Sequence, residues 1–255
     1  MAEQRLSGKN ALITGASHGI GQAIALAMAR EGANVAFTYQ RDEAAAAQVL
    51  GQLQELGVKC QAFQVDAGEA SAAPQLAGRV LAGFDELHVL VNNVGITTRT
   101  GFLETSVEDY HKVMNANLRF PFFLTQAVIA HMLERRIAGS VINVSSISAF
   151  KAISQMAHYQ SSKAGLSMLS KSLAYEFAAQ GIRVNTLSPG LTATQGNRNQ
   201  WHNDPQLWRE RGKDIPMGRA GTPQDHAGAA VFLASDEAAW VTGADIVIDG
   251  GEATL

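Results

Sequence analysis

The stretch NALITGASHGIG, residues 10–21, decides the fold of this chain. A short apolar run is followed by Gly15, Gly19 and Gly21, and an apolar stripe with helical spacing continues beyond them. This order predicts a strand, a tight turn and a helix whose first N–H groups face an anion such as a pyrophosphate. The spacing G-x-x-x-G-x-G departs from the common G-x-G-x-x-G, so the turn has to be weighed with the rest of the chain.

The alternation of strand and helix patterns continues outward from this turn to the end of the chain. Each short apolar or β-branched run, except the last, is followed by a longer run with helical spacing. Runs such as HVLVN and VINVS are apolar throughout, as strands buried on both faces of a parallel sheet are. The predicted strands are Asn10–Thr14, Asn34–Tyr39, Lys59–Val65, Leu87–Asn92, Ser140–Ser145, Ile182–Leu187 and Asp245–Ile248. We therefore predict an α/β protein, a Rossmann fold with a doubly wound, parallel, seven-stranded sheet and helices on both faces.

Local signals mark several helix boundaries. Asp42 is placed to cap an alanine-rich helix, and Gly32 is placed to end the first helix. Thr105 with Glu108 predicts a capping box. Thr222 precedes a proline, which suits the first position of a helix.

The composition excludes several classes of protein. The 255 residues carry 20 basic and 23 acidic side chains, a net charge of −3 and a pI near 6.2, so a nucleic-acid partner is not expected. Cys60 is the single cysteine in the sequence and no Cys/His spacing fits a metal site, so we predict neither a disulfide nor a metal. No apolar run approaches the roughly 18 residues of a membrane span. The sequence predicts a soluble, cytoplasmic protein.

One polar, irregular stretch stands out, at about residues 191–216, and it contains Trp201 and Trp208. No repeat, low-complexity tract or linker divides the sequence, so residues 1–255 are predicted to form one dinucleotide-binding and catalytic domain. A stretch of this length inside a compact domain is typical of a lid with helices of its own. We predict that it covers a substrate site.

The end of the second predicted strand bears on the choice of cofactor. A dinucleotide-binding βαβ unit that prefers NAD carries an acidic residue there, which binds the ribose 2′-hydroxyl. Here Tyr39, Gln40 and Arg41 occupy that region, and Arg41 suits a 2′-phosphate. Asp42 is better explained as a helix cap, and His18 adds a weak donor. NADP is favoured, with NAD possible.

Tyr159 and Lys163 form a candidate acid–base pair. They lie four residues apart in HYQSSKAGL, so a helix places both side chains on one face. A lysine cation stabilises a phenolate and brings a phenol, with an ordinary pKa of about 10, closer to usable basicity. Ser146 lies 13 residues earlier at the carboxyl end of a predicted strand, where ligands of open α/β sheets bind.

Together these motifs resemble the short-chain dehydrogenase/reductase family over essentially the whole chain. The matching residues are TGASHGIG at 14–21, Asp66, NNVG at 92–95, Asn117, Ser146, Tyr159-x-x-x-Lys163, and SPG at 188–190 with Thr194 beyond. The resemblance implies hydride transfer between a nicotinamide and a carbonyl or secondary alcohol. In that family pattern Tyr159 is the general acid/base, and Lys163 lowers its pKa while binding the nicotinamide ribose. Ser146 would hydrogen-bond the substrate oxygen, and Asn117 would hold a water of a proton relay.

The resemblance also implies a cofactor site that extends over three regions of the chain. The pyrophosphate would contact Gly15, Ser17, His18, Gly19, Ile20 and Gly21; the adenine would contact Asp66 and Ala67, and its ribose Asn93 and Gly95; the nicotinamide half would contact Pro189, Gly190, Leu191 and Thr194, beside Tyr159 and Lys163. The chain departs from the pattern at His18, where NADP-dependent members often carry arginine. It also departs at Pro121, which is expected to kink or begin a helix shortly after Asn117.

The substrate is the least determined part of the prediction. Candidate contacts are Ser146, Ser148, Gln155 and Trp201, with Thr97 as a further polar group. Such aromatic, amide and hydroxyl groups suit a polyhydroxylated molecule, and they would serve equally to fold the lid onto the body. Several segments are similar to bacterial glucose 1-dehydrogenases and other sugar or polyol dehydrogenases. The 3-oxoacyl-carrier-protein reductases are also similar, but the basic patch expected for an acidic carrier is not obvious in Arg99, Arg135 and Arg136.

Two further expectations concern activity and assembly. A non-catalytic NADP-sensing protein on the same fold is an alternative, and the intact set of Ser146, Tyr159, Lys163 and Asn117 argues against it. The family resemblance implies a homotetramer in which helices near 105–136 and 155–180 pack between subunits.

Overall fold

A single parallel sheet of seven strands organises the protein, whose computed structural model describes residues 4–254. The strands lie in the order β3-β2-β1-β4-β5-β6-β7, and every neighbouring pair is parallel. They are β1 Asn10–Ile13, β2 Asn34–Tyr39, β3 Cys60–Gln64, β4 Val89–Asn92, β5 Ser140–Val144, β6 Arg183–Pro189 and β7 Asp245–Ile248. The predicted fold and all seven strands are confirmed, with ends that shift by one or two residues.

The strand order reverses direction between β1 and β4. The chain winds outward from β1 to β3 on one side and from β4 to β7 on the other. Loops that leave β1 and β4 therefore diverge and open a crevice at the carboxyl edge of the sheet, which is where ligands of such folds bind.

The described residues contain nine α-helices, several of which pack on the two faces of the sheet. They are α1 Gly19–Arg30, α2 Glu43–Glu55, α3 Ala72–Phe84, α4 Val107–Met114, α5 Phe120–Arg135, α6 Ala157–Phe177, α7 Arg198–His202, α8 Pro205–Lys213 and α9 Pro223–Ala234. One core joins α1, α2 and α9 to the sheet through residues such as Met28, Leu53 and Val231. The other joins α3 and α5 to the opposite face through Leu76 and Leu124. Both faces of the sheet are buried, which explains the apolar strands.

Most of the predicted helix boundaries are confirmed. The Asp42 side chain accepts a hydrogen bond from the backbone N–H of Ala45, as expected of the cap of α2. Gly32 follows α1 with φ +87°, a left-handed conformation that glycine adopts without strain. Thr222 and Asp225 form the capping box of α9.

The predicted capping box of Thr105 and Glu108 is wrong by one residue. Helix α4 begins at Val107, and Ser106 is its cap, accepting a hydrogen bond from the backbone N–H of Asp109. The pair Ser106 and Asp109 repeats the same sequence pattern one position later. Thr105 instead donates a hydrogen bond to the Gly101 carbonyl oxygen in the preceding turn.

A short π-helix, Asn115–Arg119, connects α4 to α5. The backbone N–H of Phe120 donates to the Asn115 carbonyl oxygen, five residues earlier. The next residue, Pro121, has no N–H to donate to the carbonyl four residues before it, which is that of Asn117. The expectation that Pro121 accompanies a helix start is confirmed. The irregular helical hydrogen bonding involves Asn117, a candidate site residue.

The stretch predicted as a lid contains the two short helices α7 and α8. A parallel bridge between Thr192 and Gly221 joins its two ends. Within residues 4–254 no helix is both long and apolar enough to cross a membrane. No group of three or more potential metal ligands occurs in that same range.

Candidate functional site

The glycine turn after β1 has the shape that a phosphate site needs. Gly15 and Gly19 have φ of +65° and +59°, in the left-handed region that favours glycine. A Cβ atom on Gly21 would lie 2.6 Å from the Gly15 carbonyl oxygen, so no larger residue fits there. Helix α1 begins directly at Gly19, so the turn lies at the amino end of the helix, where the first N–H groups have no partner within the helix.

Two neighbouring strands hold this turn in place. The Asn93 side-chain amide, just beyond β4, donates to the carbonyl oxygens of Thr14 and Gly15 at 2.9 and 3.0 Å. On the other side, Thr38 Oγ1 accepts a hydrogen bond of 2.9 Å from the backbone N–H of Gly15. Asn93, a predicted contact of the adenosine ribose, therefore also holds the turn in place. Thr38 was missed, and its one signal in the sequence is a hydroxyl near the end of an apolar strand.

The side of the turn next to β2 carries one paired and one unpaired polar group. His18 Nε2 lies 3.1 Å from Asp42 Oδ2, and His18 Nδ1 lies 3.0 Å from Ser17 Oγ. Asp42 is thus shared between the cap of α2 and His18. Arg41 is exposed and makes no side-chain hydrogen bond or ion pair with any residue from 4 to 254. The free cation at the end of β2 is Arg41, beside the half-buried Tyr39.

The loop after β3 lies at the same edge of the sheet. Asp66 is exposed, and its Oδ1 accepts a hydrogen bond of 2.8 Å from the backbone N–H of Gly68. Ala67 beside it is buried. One carboxylate oxygen of Asp66 shapes the turn, and the other has no protein partner in the described chain.

Helix α6 brings Tyr159 and Lys163 together, as their spacing predicts. Lys163 is only 2% exposed, and its Nζ donates a hydrogen bond of 2.8 Å to the Val144 carbonyl oxygen at the end of β5. Nζ also lies 5.9 Å from the centre of the Tyr159 ring. Burial lowers the pKa of Lys163 to about 8. A buried amine with a pKa below that of an ordinary lysine therefore lies near the phenol ring.

Ser146 and Ser145 have different surroundings, which distinguishes the two candidate serines. The buried Ser145 hydroxyl donates to the Lys163 carbonyl oxygen at 3.0 Å and so anchors α6 to the sheet. Ser146 is only half-buried, and its hydroxyl interacts with Tyr159. Burial raises the pKa of the Tyr159 phenol, and hydrogen bonding to Ser146 lowers it in part. Ser146 is the serine that shares the site with Tyr159.

Asn117 lies in the π-helix and is completely buried. Its side-chain amide donates to the Ile96 carbonyl oxygen at 2.9 Å and to Ser162 Oγ at 3.0 Å, and its Oδ1 accepts from the Ile96 N–H at 2.8 Å. The side chain thus links the loop after β4 to α6. Its Oδ1 also lies 3.8 Å from where a Cβ on Gly95 would be, and Lys163 Nζ lies 3.1 Å from that same point.

The loop after β6 closes the crevice from the other side. The Thr194 side chain lies 3.5 Å from where a Cβ on Gly19 would be, so this loop reaches the glycine turn. The Leu191 N–H donates to a carboxylate oxygen of Glu252 at 2.9 Å. Lys151, which follows the Ser146 turn, donates to the Glu252 carbonyl oxygen at 2.7 Å. Sequence reasoning missed Glu252, because nothing in the sequence distinguishes it from an exposed terminal acid.

The four candidate substrate residues do not all meet. Ser148 is buried, and its N–H donates to Ser146 Oγ at 3.1 Å. Gln155 is exposed with φ +63°, and its carbonyl oxygen accepts from the Thr100 N–H at 3.0 Å. Trp201 donates its indole N–H to the Thr194 carbonyl oxygen at 2.9 Å and so secures α7 to the loop after β6. Ser148 thus lies beside Ser146, whereas Gln155 contacts the loop after β4 and Trp201 contacts the loop after β6.

Comparisons with known proteins agree with this geometry. A family model described as enoyl-(acyl carrier protein) reductase matches residues 15–252. The 3beta-hydroxysteroid dehydrogenase 1 of Eggerthella lenta is 37% identical over 246 residues, which cover 96% of this chain and 94% of that protein. An NADP(+)-dependent L-rhamnose 1-dehydrogenase of Thermoplasma acidophilum is 36% identical over 245 residues, covering 96% of each chain. The structure of a proposed 2-deoxy-D-gluconate 3-dehydrogenase from Agrobacterium tumefaciens with bound NADP is 35% identical, covers 100% of both chains and has a TM-score of 0.90.

Proposed function

Because this chain belongs to the short-chain dehydrogenase/reductase family, we propose that it oxidises a secondary alcohol, or reduces the matching carbonyl, of a sugar or polyol with NADP. The observation that carries the proposal is the meeting of Tyr159, Lys163 and Ser146 at the crevice beside a glycine turn that admits a phosphate. The proposal assigns each of these residues a step.

Tyr159 is the group that moves the proton on the substrate oxygen. In the oxidation direction the phenolate takes the proton from the alcohol, and in the reduction direction the phenol donates it to the carbonyl oxygen. Ser146 hydrogen-bonds the same oxygen and orients it. Lys163 acts through Tyr159, since a buried ammonium near the ring favours the phenolate over the phenol.

Asn117 is proposed to support this proton transfer through its backbone. Its side-chain donors are already used by Ile96 and Ser162. Its carbonyl oxygen cannot receive a helical hydrogen bond from Pro121. That carbonyl is therefore the group of Asn117 we assign to the relay water, which would pass protons between solvent and Lys163.

The cofactor site suits a dinucleotide, because the tightly packed glycine turn has left-handed backbone at Gly15 and Gly19 and leads directly into the amino end of α1. A bound nicotinamide supplies or accepts the hydride. The cofactor-binding residues of the sequence analysis line one crevice, from the glycine turn, through Asp66 and Asn93, to Leu191 and Thr194. Arg41, which has no side-chain partner among the described residues 4–254, is assigned to the 2′-phosphate, and this favours NADP while leaving NAD possible.

A polyhydroxylated substrate is supported by the polar groups around the phenol and by the lid. We propose that residues about 191–216 close over the substrate, with Trp201 packing a sugar face and with Ser148 and Gln155 supplying polar contacts. The alternative, a 3-oxoacyl-carrier-protein reductase, matches the description of the family model. Its basic docking patch is not formed by the three arginines considered, since Arg99 lies in the loop after β4 and Arg135 and Arg136 lie at the far end of α5.

A substrate panel tests the proposed function. Purified protein with NADP or NADPH would be offered sugars, alditols, sugar acids, simple ketones and 3-oxoacyl thioesters, with cofactor absorbance as the readout. We expect the highest kcat/KM in the polyhydroxylated group. Preference for thioesters would favour the carrier-protein alternative, and tight NADPH binding without turnover of any compound would favour a sensor.

Assembly and location complete the proposal. We propose a homotetramer, supported by exposed apolar side chains on α4, α5 and α6. These include Tyr110, Phe122, Met168 and Tyr175. We also propose a cytoplasmic location, supported by the composition and by the lone cysteine, Cys60, which has no partner for a disulfide.

A further inference from the structure

The loop after β4 has an alternating pattern that points to the nature of the substrate. Along residues 95–100 exposure alternates strictly: Gly95, Thr97 and Arg99 are exposed, whereas Ile96, Thr98 and Thr100 are half-buried. Such alternation is typical of an extended chain with one side against the protein. We call residues 95–100 the recognition loop.

The half-buried residues of the recognition loop are each fastened to the protein. Ile96 is held at both its N–H and its carbonyl oxygen by the Asn117 side chain, at 2.8 and 2.9 Å. Thr98 Oγ1 lies 2.6 Å from Nε2 of the buried His158, the residue before Tyr159. The Thr100 N–H donates to the Gln155 carbonyl oxygen at 3.0 Å. The loop is therefore fixed in register by the π-helix, by the turn before α6 and by α6 itself, the helix that carries Tyr159.

The exposed side of the recognition loop begins at the reacting groups. A Cβ on Gly95 would lie 3.1 Å from Lys163 Nζ, so the side of the loop on which residue 95 would carry a side chain faces the buried ammonium. An extended chain advances about 3.3 Å per residue, so Thr97 follows roughly 7 Å and Arg99 roughly 13 Å along the same side. A substrate chain that lay along this side from Tyr159 would pass Thr97 before it came within reach of the Arg99 side chain.

Arg99 and Lys151 differ in whether an acidic residue lies close enough to pair with their positive charge. Arg99 makes no side-chain hydrogen bond and no ion pair with any residue in the described range, 4–254. Lys151, on the opposite wall, is engaged by Glu252, whose carbonyl oxygen is 2.7 Å and whose carboxylate oxygen is 3.9 Å from its Nζ. The recognition loop thus offers an uncompensated guanidinium, the group best suited to bind a carboxylate in two-pronged geometry.

We propose that Thr97 and Arg99 recognise the end of the substrate remote from the reacting carbon, and that Arg99 binds a carboxylate there. The preferred substrate is then a sugar acid of the aldonate type, with Thr97 bonded to a hydroxyl group along its chain. This inference rests on the proposed function and narrows its substrate class from sugars and polyols in general to their carboxylates.

The test compares kcat/KM for aldonates with kcat/KM for the matching neutral sugars and alditols, in wild type and Arg99→Gln. Loss of a charge-assisted hydrogen-bonded pair is expected to lower kcat/KM for the aldonate roughly tenfold or more, mainly through KM, with neutral compounds little changed. Arg99→Lys should restore part of the loss. Binding of gluconate to the NADP complex of Tyr159→Phe, with and without Arg99→Gln, checks affinity independently of turnover.

Two matched arginine variants sharpen the result. Arg30→Gln removes the same charge from an exposed site at the end of α1, on the opposite edge of the sheet, and should leave both substrate classes unchanged. Arg198→Gln removes it from the lid helix α7, and a loss of aldonate preference there instead of at Arg99 would overturn the assignment. So would a wild-type preference for neutral sugars or for sugar phosphates. If wild type turns over no polyhydroxylated compound at all, the proposed function fails, which is a different outcome.

Discussion

At the scale of single residues, Tyr159 carries the most demanding assignment. Replacing it by phenylalanine removes one hydroxyl and leaves the ring beside Lys163. Because general acid–base catalysis contributes about 10²- to 10⁴-fold, we expect Tyr159→Phe to lower kcat by a factor in that range. The affinity for NADPH, measured by fluorescence titration, should stay close to that of wild type. Full turnover in this variant would remove Tyr159 from the mechanism.

Burial raises the pKa of Tyr159, and Ser146 opposes part of that shift. Hydrogen bonding to Ser146 lowers the pKa of the phenol, so Ser146→Ala should raise that pKa. Alcohol oxidation needs the phenolate, and a higher pKa leaves less phenolate at any given pH. The rising limb of kcat/KM against pH is therefore expected to move to higher pH, together with a lower plateau. Ser161→Ala, an exposed position on the same helix, should leave the profile in place.

Arg41 carries the proposed choice between NADP and NAD. A charge-assisted hydrogen bond is worth about 1.5–3 kcal/mol, so Arg41→Ala should reduce the ratio of kcat/KM for NADP to that for NAD roughly tenfold or more. Asp42→Asn provides the contrast, since it removes the negative charge that His18 now pairs with. That variant should raise the ratio. Equal use of both cofactors by wild type, unchanged in Arg41→Ala, would contradict the assignment.

At the scale of elements, the π-helix before α5 connects a local irregularity to catalysis. Pro121→Ala supplies the N–H that a regular helix would donate to the Asn117 carbonyl. We expect unchanged or higher thermal stability with kcat lowered about tenfold, the effect of displacing one hydrogen-bonding group. Pro223→Ala, at the first turn of α9, should affect neither strongly. Wild-type kcat in a stable Pro121→Ala protein would separate Asn117 from the proton relay.

Strands and helices were predictable from the sequence to a greater extent than the contacts between distant loops. Strands such as β4 and β5 were predictable because burial on both faces demands unbroken apolar runs, and the Tyr159–Lys163 pair because helical period fixes its geometry. Thr97 was a candidate substrate contact, but the register of the recognition loop was not predictable, since it depends on hydrogen bonds to Asn117 and His158, which are distant in sequence. Glu252 was missed for the same reason: its partners, Leu191 and Lys151, are about 60 and 100 residues away.

At the scale of the whole molecule, an apolar surface remains uncovered on α4, α5 and α6. Met168 and Tyr175 on α6 are 61% and 93% exposed. They are seven residues apart, which is two helical turns, so they lie on one face. Tyr110 on α4 and Phe122 on α5 are also 43% exposed. Large exposed side chains of this kind mark interaction surfaces, and tyrosine is enriched among residues that dominate interfaces.

The proposed homotetramer can be tested on this face. Met168→Asp with Tyr175→Asp introduces two charges that would lose their hydration in an interface, so we expect sedimentation velocity to show dimers or monomers in place of tetramers. Leu56→Asp makes a similar change at an exposed apolar residue after α2 and should leave the tetramer intact. Circular dichroism distinguishes dissociation from unfolding. A tetramer that persists in the double variant at micromolar concentration would move the interface away from α6, and a monomeric wild type would remove the assembly proposal altogether.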